Sequence, residues 1–595
     1  MNFFKIFLAS FVAVLTAFVA LFTLGLILMV GIIAAGSSSS SGEVAVNPNS
    51  VLELQLTTPI VENAAIDPVN FNFGSFLPGA SSQKMGLHQI NTYIRKAAED
   101  DNVEGIYLHL GTYVPTGWAS MRSIRKALLD FKDSGKFIYA YSEVFTENSY
   151  YLASVADSVF MPPKGIMEFN GYSSNPVFFK GAIDKLELKP EIFRVGTFKS
   201  AVEPFLRKDM SEASKEQTDI FLNDMWKVYV RDLSASREIT TEKLEEIAEL
   251  FIFGEAEKAL AAGLIDEVGY ESKALDAIRD RLNLETDDKI STLSLKKYMR
   301  TPAPRASSSN RVAVVFAEGS ITSGKSSDGV MGSETIARAL RKVAKDDKVK
   351  AVVFRINSGG GSVLASDVML EEVRKLKSKK PVIASFGDVS ASGGYYIASA
   401  CDTIVAEENT LTGSIGIFSV FFNSEKFFDN KLGITFDEVE THQYSGIGNP
   451  NKPISDVERA FLQKNIEKGY TDFLTLVKEG RGYENIGEVD KIAQGRVWSA
   501  TTAKDIGLVD EFGDLYDAIE IAAKAAGVEE DYRLRVLPTP KSPFEEIMEG
   551  LMEVSVSAFW NQTPISEEMK TIEKLKKWIP ENGTYALMPY DWNIQ

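Results

Sequence analysis

The hydrophobic and polar positions of this chain form short apolar runs that alternate with longer segments of helical periodicity. Residues 51–56 alternate apolar and polar side chains with a period of two, which predicts a strand. Further strands are predicted at residues 105–110 and 137–141, with helices near residues 121–131 and 149–156. Because strands that alternate with helices form parallel sheets, the pattern indicates an α/β fold.

The same order of elements begins again after residues 301–310, a stretch rich in Pro and Ser that is typical of a linker. Residues 150–157 read YYLASVAD and residues 395–402 read YYIASACD. Likewise, GLIDEVG at residues 263–269 returns as GLVDEFG at residues 507–513. The offset is about 245 residues (395 − 150 = 245), too long for a solenoid, so the sequence predicts a duplicated domain.

The first 36 residues are predicted to be a transmembrane anchor. Residues 6–35 are almost entirely apolar and uncharged, and about 20 such residues suffice to span a bilayer. Lys5 precedes this segment and the next basic residue is Lys84, so the positive-inside tendency places the bulk of the chain outside the cytoplasm. The sequence AAG at residues 34–36 leaves cleavage of the anchor open.

The remaining boundaries follow from composition and from the repeat. Residues 37–49 are a predicted Ser-rich tether, and the two domains occupy residues 50–300 and 311–540. The C-terminal tail covers residues 541–595. Within it, residues 567–578 have an amphipathic pattern, which we interpret as a helix for packing or oligomer contact.

Composition excludes several classes of function. The 595 residues are 45% hydrophobic and 25% charged, which is typical of a globular protein with more than one domain. The net charge of −18, without a basic block, argues against a nucleic-acid partner. Cys401 is the sole cysteine, and His88, His109 and His442 lack metal-ligand spacing, so we expect neither a disulfide nor a metal cofactor.

A serine-containing turn is the first candidate for chemistry. A predicted buried strand at residues 381–386 leads to the turn SASGG at residues 390–394, and a helix is predicted to follow. Free N–H groups and the dipole at a helix N-terminus favour negative charge, which acyl transfer develops on the nucleophile and on the substrate oxygen. Ser392 is therefore a candidate nucleophile, although a Gly-rich turn that merely contains a serine would show the same pattern.

A second Gly-rich loop lies upstream, between a predicted strand at residues 351–356 and a predicted helix at residues 363–377. It reads NSGGGS, and glycines let backbone N–H groups approach a ligand closely. Gly360 or Gly361, together with Gly393, are candidate donors for an oxyanion hole. The alternative is a phosphate loop, but neither the Lys-Ser/Thr ending of a P-loop nor a dinucleotide fingerprint is present.

With NSGGGS, SASGGYYIASACD and LTGSIGIF in this order, the chain resembles the signal peptide peptidase A (protease IV) family in its long two-domain form. The resemblance covers nearly the whole chain and implies tandem Clp protease/crotonase-like domains. At one position the chain departs from the family, because Gly359 stands where a proline is usual. This change loosens the loop but keeps its N–H donors.

The two copies differ where the chemistry is expected. Residues 147–149 of the first copy read ENS where the second copy has Ser392 and two glycines, so the first copy lacks the serine turn. The first copy instead has VGTFKSAVEPF at residues 195–205, in which Lys199 aligns with Tyr444 of the second copy. Neither copy carries both residues, which suggests a Ser/Lys dyad split between the two domains.

Lysine acts as a general base when it is neutral, which requires burial and a lowered pKa. Phe198, Val202 and Phe205 are suitable apolar neighbours for Lys199, whereas Glu203 has to point elsewhere.

The segment resembles the KSAVEPF motif of the family, and the resemblance assigns Lys199 as general base and Ser392 as nucleophile. Ser414 is a candidate for orienting the amine. The rival base is His442, paired with an acid such as Asp388 or Asp402.

These observations predict a membrane-bound serine endopeptidase that needs no cofactor. The resemblance implies cleaved signal peptides and other unfolded apolar peptides as substrates, and a homo-oligomer, a tetramer in the family. The predicted location is the cytoplasmic (inner) membrane, with a single span and extracytoplasmic catalytic domains. The alternatives are a non-catalytic membrane scaffold and an acyl-CoA enzyme of crotonase type. Whether the dyad forms within one chain or between chains stays open.

Overall fold

The computed structural model describes residues 44–65, 84–250, 256–302, 307–540 and 583–587, with scattered positions between 11 and 24. No helix among these residues is both long and apolar enough to cross a membrane. Most of the predicted anchor at residues 6–35, and the predicted helix at residues 567–578, lie outside the described residues.

The first half of the chain is an α/β unit whose apolar strand residues are buried. Its strands are β1 (Ser50–Leu54), β2 (Ile60–Val61), β3 (Met85–Gly86), β4 (Val103–His109), β5 (Phe137–Tyr141), β6 (Val144–Phe145), β7 (Ser158–Met161), β8 (Ile166–Met167), β9 (Lys189–Arg194), β10 (Glu267–Val268) and β11 (Thr292–Ser294). Its helices are α1 (Leu87–Glu99), α2 (Trp118–Asp133), α3 (Glu147–Ala153), α4 (Lys180–Lys185), α5 (Glu203–Leu206), α6 (Glu212–Arg237), α7 (Thr241–Glu249), α8 (Ala256–Ala261), α9 (Glu271–Arg281) and α10 (Leu295–Tyr298).

The second half repeats this alternation and adds a C-terminal strand. Its strands are β12 (Arg311–Glu318), β13 (Ser320–Thr322), β14 (Val330–Gly332), β15 (Val349–Ser358), β16 (Gly360–Ser362), β17 (Val382–Ala391), β18 (Thr403–Ala406), β19 (Leu411–Gly413), β20 (Phe418–Asn423), β21 (Val497–Ser499), β22 (Glu511–Phe512), β23 (Arg533–Leu537) and β24 (Gly583–Leu587). Its helices are α11 (Ser333–Lys345), α12 (Val363–Lys377), α13 (Gly393–Ala398), α14 (Asp456–Arg481), α15 (Ile486–Ile492), α16 (Ala500–Asp505) and α17 (Leu515–Ala525).

Local sequence explains where the long helices begin and end. Helix α14 begins after Ser455, whose side chain accepts from the backbone of Glu458 while Glu458 bonds back to Ser455. It ends at Gly482, which has φ +73° and so adopts the left-handed conformation that glycine favours at a helix C-terminus.

Each half is built on a parallel sheet with the same strand order. The first sheet runs β10-β7-β5-β4-β1-β11 and the second contains β22-β18-β17-β15-β12-β23. The second sheet differs where β17 extends beyond β18 and pairs through Val389–Ala391 with β19. This extension carries the end of β17 to the serine turn.

A third sheet joins the two halves, in the order β14-β13-β16-β24-β20-β9. Strand β9 of the first half lies antiparallel to β20, with Arg194 opposite Phe418 and Lys189 opposite Asn423. The side chain of Phe193 packs into the core of the second half, and Val497 packs into that of the first. Because β9 is held in this way, the segment that follows it is carried against the second half.

Candidate active site

Ser392 lies at the junction of β17 and helix α13, as the pattern of small residues predicts. Its backbone has φ +53° and ψ −114°, a conformation that side-chain-bearing residues rarely adopt and that stores about 1–3 kcal/mol of strain. The N–H of Ser392 donates to the carbonyl of Gly413 at 2.8 Å, which holds the turn to β19. The strained turn aims Oγ across the interface toward the first half.

Lys199 of the first half meets this serine within the same chain. Its Nζ lies 2.9 Å from Ser392 Oγ, and it donates to the hydroxyl of Ser414 at 2.8 Å and to the carbonyl of Ser414 at 3.0 Å. Lys199, Ser392 and Ser414 are all fully buried. The structure therefore brings together the three side chains that the sequence singled out for nucleophile, base and orienting group.

Burial lowers the pKa of the Lys199 amine well below its usual range, because the ammonium form loses its hydration. Among the described residues, no carboxylate forms an ion pair with Lys199. Glu203 turns away, as the sequence required, and accepts from the backbone N–H and the hydroxyl of Ser211 at the start of α6. The site can thus hold lysine in the neutral form that a general base needs.

Two glycines of the second half leave room for the lysine stem. A Cβ built on Gly495 would lie 2.6 Å from Lys199 Cβ, and one built on Gly416 would lie 3.4 Å from Lys199 Cδ. The neighbouring Gln494 carbonyl accepts from the N–H of Phe198 at 2.9 Å. These contacts desolvate Lys199, whereas Val202 and Phe205, which the sequence offered as its neighbours, pack on β20 instead.

The candidate oxyanion donors lie on either side of the serine. Gly393 begins α13, and the first N–H of a helix has no acceptor within the helix. Gly360 has φ +103°, and its N–H donates to Ser358 Oγ at 3.1 Å, so in this structure that donor is engaged. Gly361 packs so tightly that an added Cβ would lie 2.1 Å from the Ile321 carbonyl oxygen. The Gly-rich loop therefore depends on glycine at residues 360 and 361.

An extended segment lies between the two strands that flank the site. Strand β24 pairs antiparallel with β16, with Gly361 opposite Ala586, and antiparallel with β20, with Phe418 opposite Tyr585. The gap between β16 and β20 thus accepts a peptide backbone as an additional strand.

The equivalent position in the first half is closed. Helix α3 begins at Glu147, the residue that aligns with Ser392, and is capped by Thr146. The side chain of Asn148 accepts from the N–H of Val114 at 2.7 Å and donates to its carbonyl at 3.3 Å. Asn148 therefore ties the start of α3 to the segment after β4, the counterpart of the Gly-rich loop that follows β15 in the second half.

The rival base is not part of this site. His442 is exposed and contacts Thr441 and Ser445. Its two candidate acids have other partners, since Asp388 accepts from Ser120 and Asp402 accepts from the N–H of Val382 at 2.8 Å. The structure thus contradicts a Ser392–His442 pair.

Sequence reasoning missed the contacts from residues 494–496, and no local signal marked them. Ser414 donates its N–H to the Arg496 carbonyl at 2.6 Å, and Gly495 lies against Lys199. Within the described part of the chain, no group of three or more His, Cys, Asp or Glu residues is arranged to hold a metal ion.

Comparison with known proteins gives consistent matches across both halves. The sequence profile of Peptidase family S49 matches residues 130–285 and again residues 374–529, which confirms the predicted duplication. The chain is 37% identical to "Protease 4" of Salmonella typhi over 504 residues, covering 82% of this chain and 80% of that protein. It is 32% identical to "Protease 4" of Haemophilus influenzae over 597 residues, covering 94% of each. It is 33% identical to the chloroplastic serine protease SPPA of Arabidopsis thaliana over 479 residues, covering 78% of this chain and 70% of that protein.

Proposed function

This chain belongs to peptidase family S49 and is a serine peptidase, and we propose that it cleaves peptide bonds with a dyad of Ser392 and Lys199. The observation that carries the assignment is the 2.9 Å separation of Lys199 Nζ from Ser392 Oγ in a fully buried site, where no carboxylate of the described residues pairs with the amine. A buried, neutral amine at hydrogen-bond distance from a strained serine has the geometry of a base and its nucleophile.

In the proposed mechanism, neutral Lys199 accepts the hydroxyl proton as Ser392 Oγ bonds to the carbonyl carbon of the substrate. The N–H of Gly393 and an N–H of residues 360–361 stabilise the resulting oxyanion. The new ammonium is held by the hydroxyl and carbonyl oxygens of Ser414 and then protonates the leaving amine. Water, deprotonated by the same amine, releases the acyl group from Ser392.

We propose that the substrate binds as an extended strand between β16 and β20. The antiparallel pairing of β24 with both strands supports this, since it places a main chain beside the glycine loop. Binding through main-chain hydrogen bonds requires an unfolded segment of substrate. Cleaved signal peptides, which are apolar and unfolded once released from their proteins, fit this requirement.

The proposed setting is the cytoplasmic membrane, with residues 6–35 as a single anchor and both domains on the extracytoplasmic side. The apolar, uncharged composition of that segment supports an anchor. We further propose a homo-oligomer. The segment after β20 supports it, because its apolar side chains face solvent, with Val439 97%, Leu432 54% and Phe436 49% exposed.

The test is hydrolysis of an apolar, signal-peptide-like substrate by the purified protein in detergent. Ser392→Ala and Lys199→Met should each lower kcat by at least about 10³-fold, because removing one member of a catalytic unit costs nearly as much activity as removing the whole unit. Ser414→Ala should lower kcat less, about tenfold, because the Ser414 carbonyl still holds the amine. His442→Ala is the matched control and should retain full activity.

Two results would contradict the proposal. Full activity of Lys199→Met would exclude the lysine as base. Equal activity of wild type and Ser392→Ala, on several peptides and in the assembled state, would exclude Ser392 as the nucleophile.

A further inference from the structure

Charged side chains from both halves meet in the interior, beside the Gly-rich loop. Glu62, which follows β2 of the first half, accepts from Arg355 Nε at 2.8 Å and from Arg355 Nη2 at 3.2 Å, and each residue is 2% exposed. The backbone N–H of Glu62 donates to Glu318 Oε2 at 3.1 Å. Arg355 also donates to Ser385 Oγ at 3.0 Å and to the Phe386 carbonyl. Glu62 thus joins β12, β15 and β17 of the other half.

These three strands lead directly to the proposed catalytic groups. Arg355 is on β15, which ends at Ser358 and enters the Gly-rich loop. Glu318 ends β12 opposite Asn357, whose side-chain oxygen accepts from the N–H of Val389 at 3.1 Å. Val389 is on β17, shortly before Ser392. A shift of Glu62 or Glu318 would therefore move both the loop and the nucleophile strand.

We propose that Glu62, Arg355 and Glu318 form a positioning cluster through which the first half sets the geometry of the loop at residues 357–362 and of Ser392. The proposal rests on the proposed peptidase function and adds a second contribution of the first half, besides Lys199. None of the three residues touches the reacting atoms, so their effect is on alignment. Gly387 is part of the arrangement, because a Cβ there would lie 2.4 Å from Glu62 Oε1.

The charge of the cluster depends on pH. Burial, with the negative charges of Glu62 and Asp388, raises the pKa of Glu318 to about 8, while Lys84 opposes the rise. Within the described part of the chain, these groups and Arg355, which lies beyond Glu62, are the charges around Glu318. At neutral pH the protonated Glu318 leaves Glu62 paired with Arg355. Ionised Glu318 adds a negative charge beside those of Glu62 and Asp388, which is repulsive in a buried site.

The pH dependence of stability follows with a definite sign. Between the usual glutamate pKa and pH 8, the folded protein holds a proton at Glu318 that the unfolded chain has released. The stabilisation by this proton is therefore lost as the pH rises through that window. In a plot of activity against pH, the fall at alkaline pH should follow the ionisation of Glu318. The rise at acid pH should follow the deprotonation of Lys199.

The experiment is a profile of kcat/KM against pH for the full chain and three variants. Glu318 loses its proton as the pH rises above about 8, so kcat/KM of the wild type should fall from its maximum by up to about tenfold per pH unit. Glu318→Gln mimics the protonated form and should lose this fall. Lys84→Gln removes the opposing charge and should move the fall to higher pH.

Lys126→Met is the matched control, since it breaks a pair with Asp517 that also joins the two halves, on α2 and α17. It should leave the alkaline fall unchanged. A role limited to stability would lower the melting temperature of Glu318→Gln but would leave its pH profile parallel to that of the wild type.

Hydrogen exchange of residues 357–362 tests the positioning cluster without depending on peptidase activity. Between pH 7 and 9.5, the exchange rate of these amides in the wild type should rise more than the intrinsic rate of unprotected amides does. In Glu318→Gln it should rise only as much as the intrinsic rate. This result is expected even if Ser392→Ala shows that the peptidase assignment is wrong. An alkaline fall in Glu318→Gln identical to that of the wild type, with the same exchange in both proteins, would overturn the positioning cluster.

Discussion

Replacing Gly495 by alanine should disable the dyad without removing either of its members. Gly495 has φ +76°, where alanine costs about 1–2 kcal/mol of backbone strain. The new Cβ would also lie 2.6 Å from Lys199 Cβ and 2.8 Å from its Cα and N. Carbon atoms pack at about 3.5–4.0 Å, so one of the two backbones has to move by about 1 Å.

Gly482→Ala is the control that isolates this contact. Gly482 has φ +73°, and no atom of the described residues lies within 4 Å of an added Cβ, so alanine meets the same strain there without touching the site. A displacement of about 1 Å in a catalytic group lowers the rate about 10²-fold. We therefore expect kcat of Gly495→Ala to fall about 10²-fold, and kcat of Gly482→Ala to stay within about twofold of the wild type.

The assay is peptide hydrolysis at saturating substrate, with the melting temperature measured for both variants. The clash with Lys199 adds to the strain only in Gly495→Ala, so kcat is compared below the melting temperature of the less stable variant, where both proteins are folded. Equal kcat values for Gly495→Ala and Gly482→Ala would refute the reasoning, because the position of Lys199 would then not depend on residue 495.

Three further predictions concern the pH dependence, the first half and the C-terminal strand. Burial holds the pKa of Lys199 below 10.5, so up to that pH the unfolded chain binds a proton that the folded protein lacks. The free energy of unfolding of the wild type, measured by urea denaturation relative to that of Lys199→Met, should therefore rise with pH up to 10.5. Asn148→Ala leaves the buried backbone of Val114 without its partners and should lower the free energy of unfolding by about 1–3 kcal/mol, with kcat unchanged in a peptidase assay. Strand β24 occupies the gap between β16 and β20 in which we propose that substrate binds, so deleting residues 583–595 should lower KM several-fold. An unchanged KM would show that β24 does not compete with substrate.

Much of the fold could be predicted from the sequence, because the relevant signals are local. Helix α12 spans the predicted residues 363–377, and β5 spans the predicted residues 137–141. The serine turn was equally readable, since glycine and other small residues permit the tight turn that joins an apolar strand to a helix. The tandem repeat was visible as internal identity and returned as two sheets of one strand order.

The arrangement of the site was less accessible. The differences between the two copies predicted that Lys199 and Ser392 belong together, but not that one chain would supply both. That outcome depends on the pairing of β9 with β20, in which neither strand carries a signal for the other. The apolar neighbours proposed for Lys199 were partly wrong for the same reason, since Gly495 and Gly416 approach it from the other half.

By itself, the sequence determined the α/β elements, the duplication, and the residue types that can attack a carbonyl and accept a proton. These follow from periodicity and composition over a few neighbouring residues. Tertiary structure decided which of those residues meet, how deeply Lys199 is buried, and which strands Glu62 of the first half joins in the second. A pKa and a 2.9 Å contact between residues 193 positions apart depend on how two domains pack, which no short stretch of sequence contains.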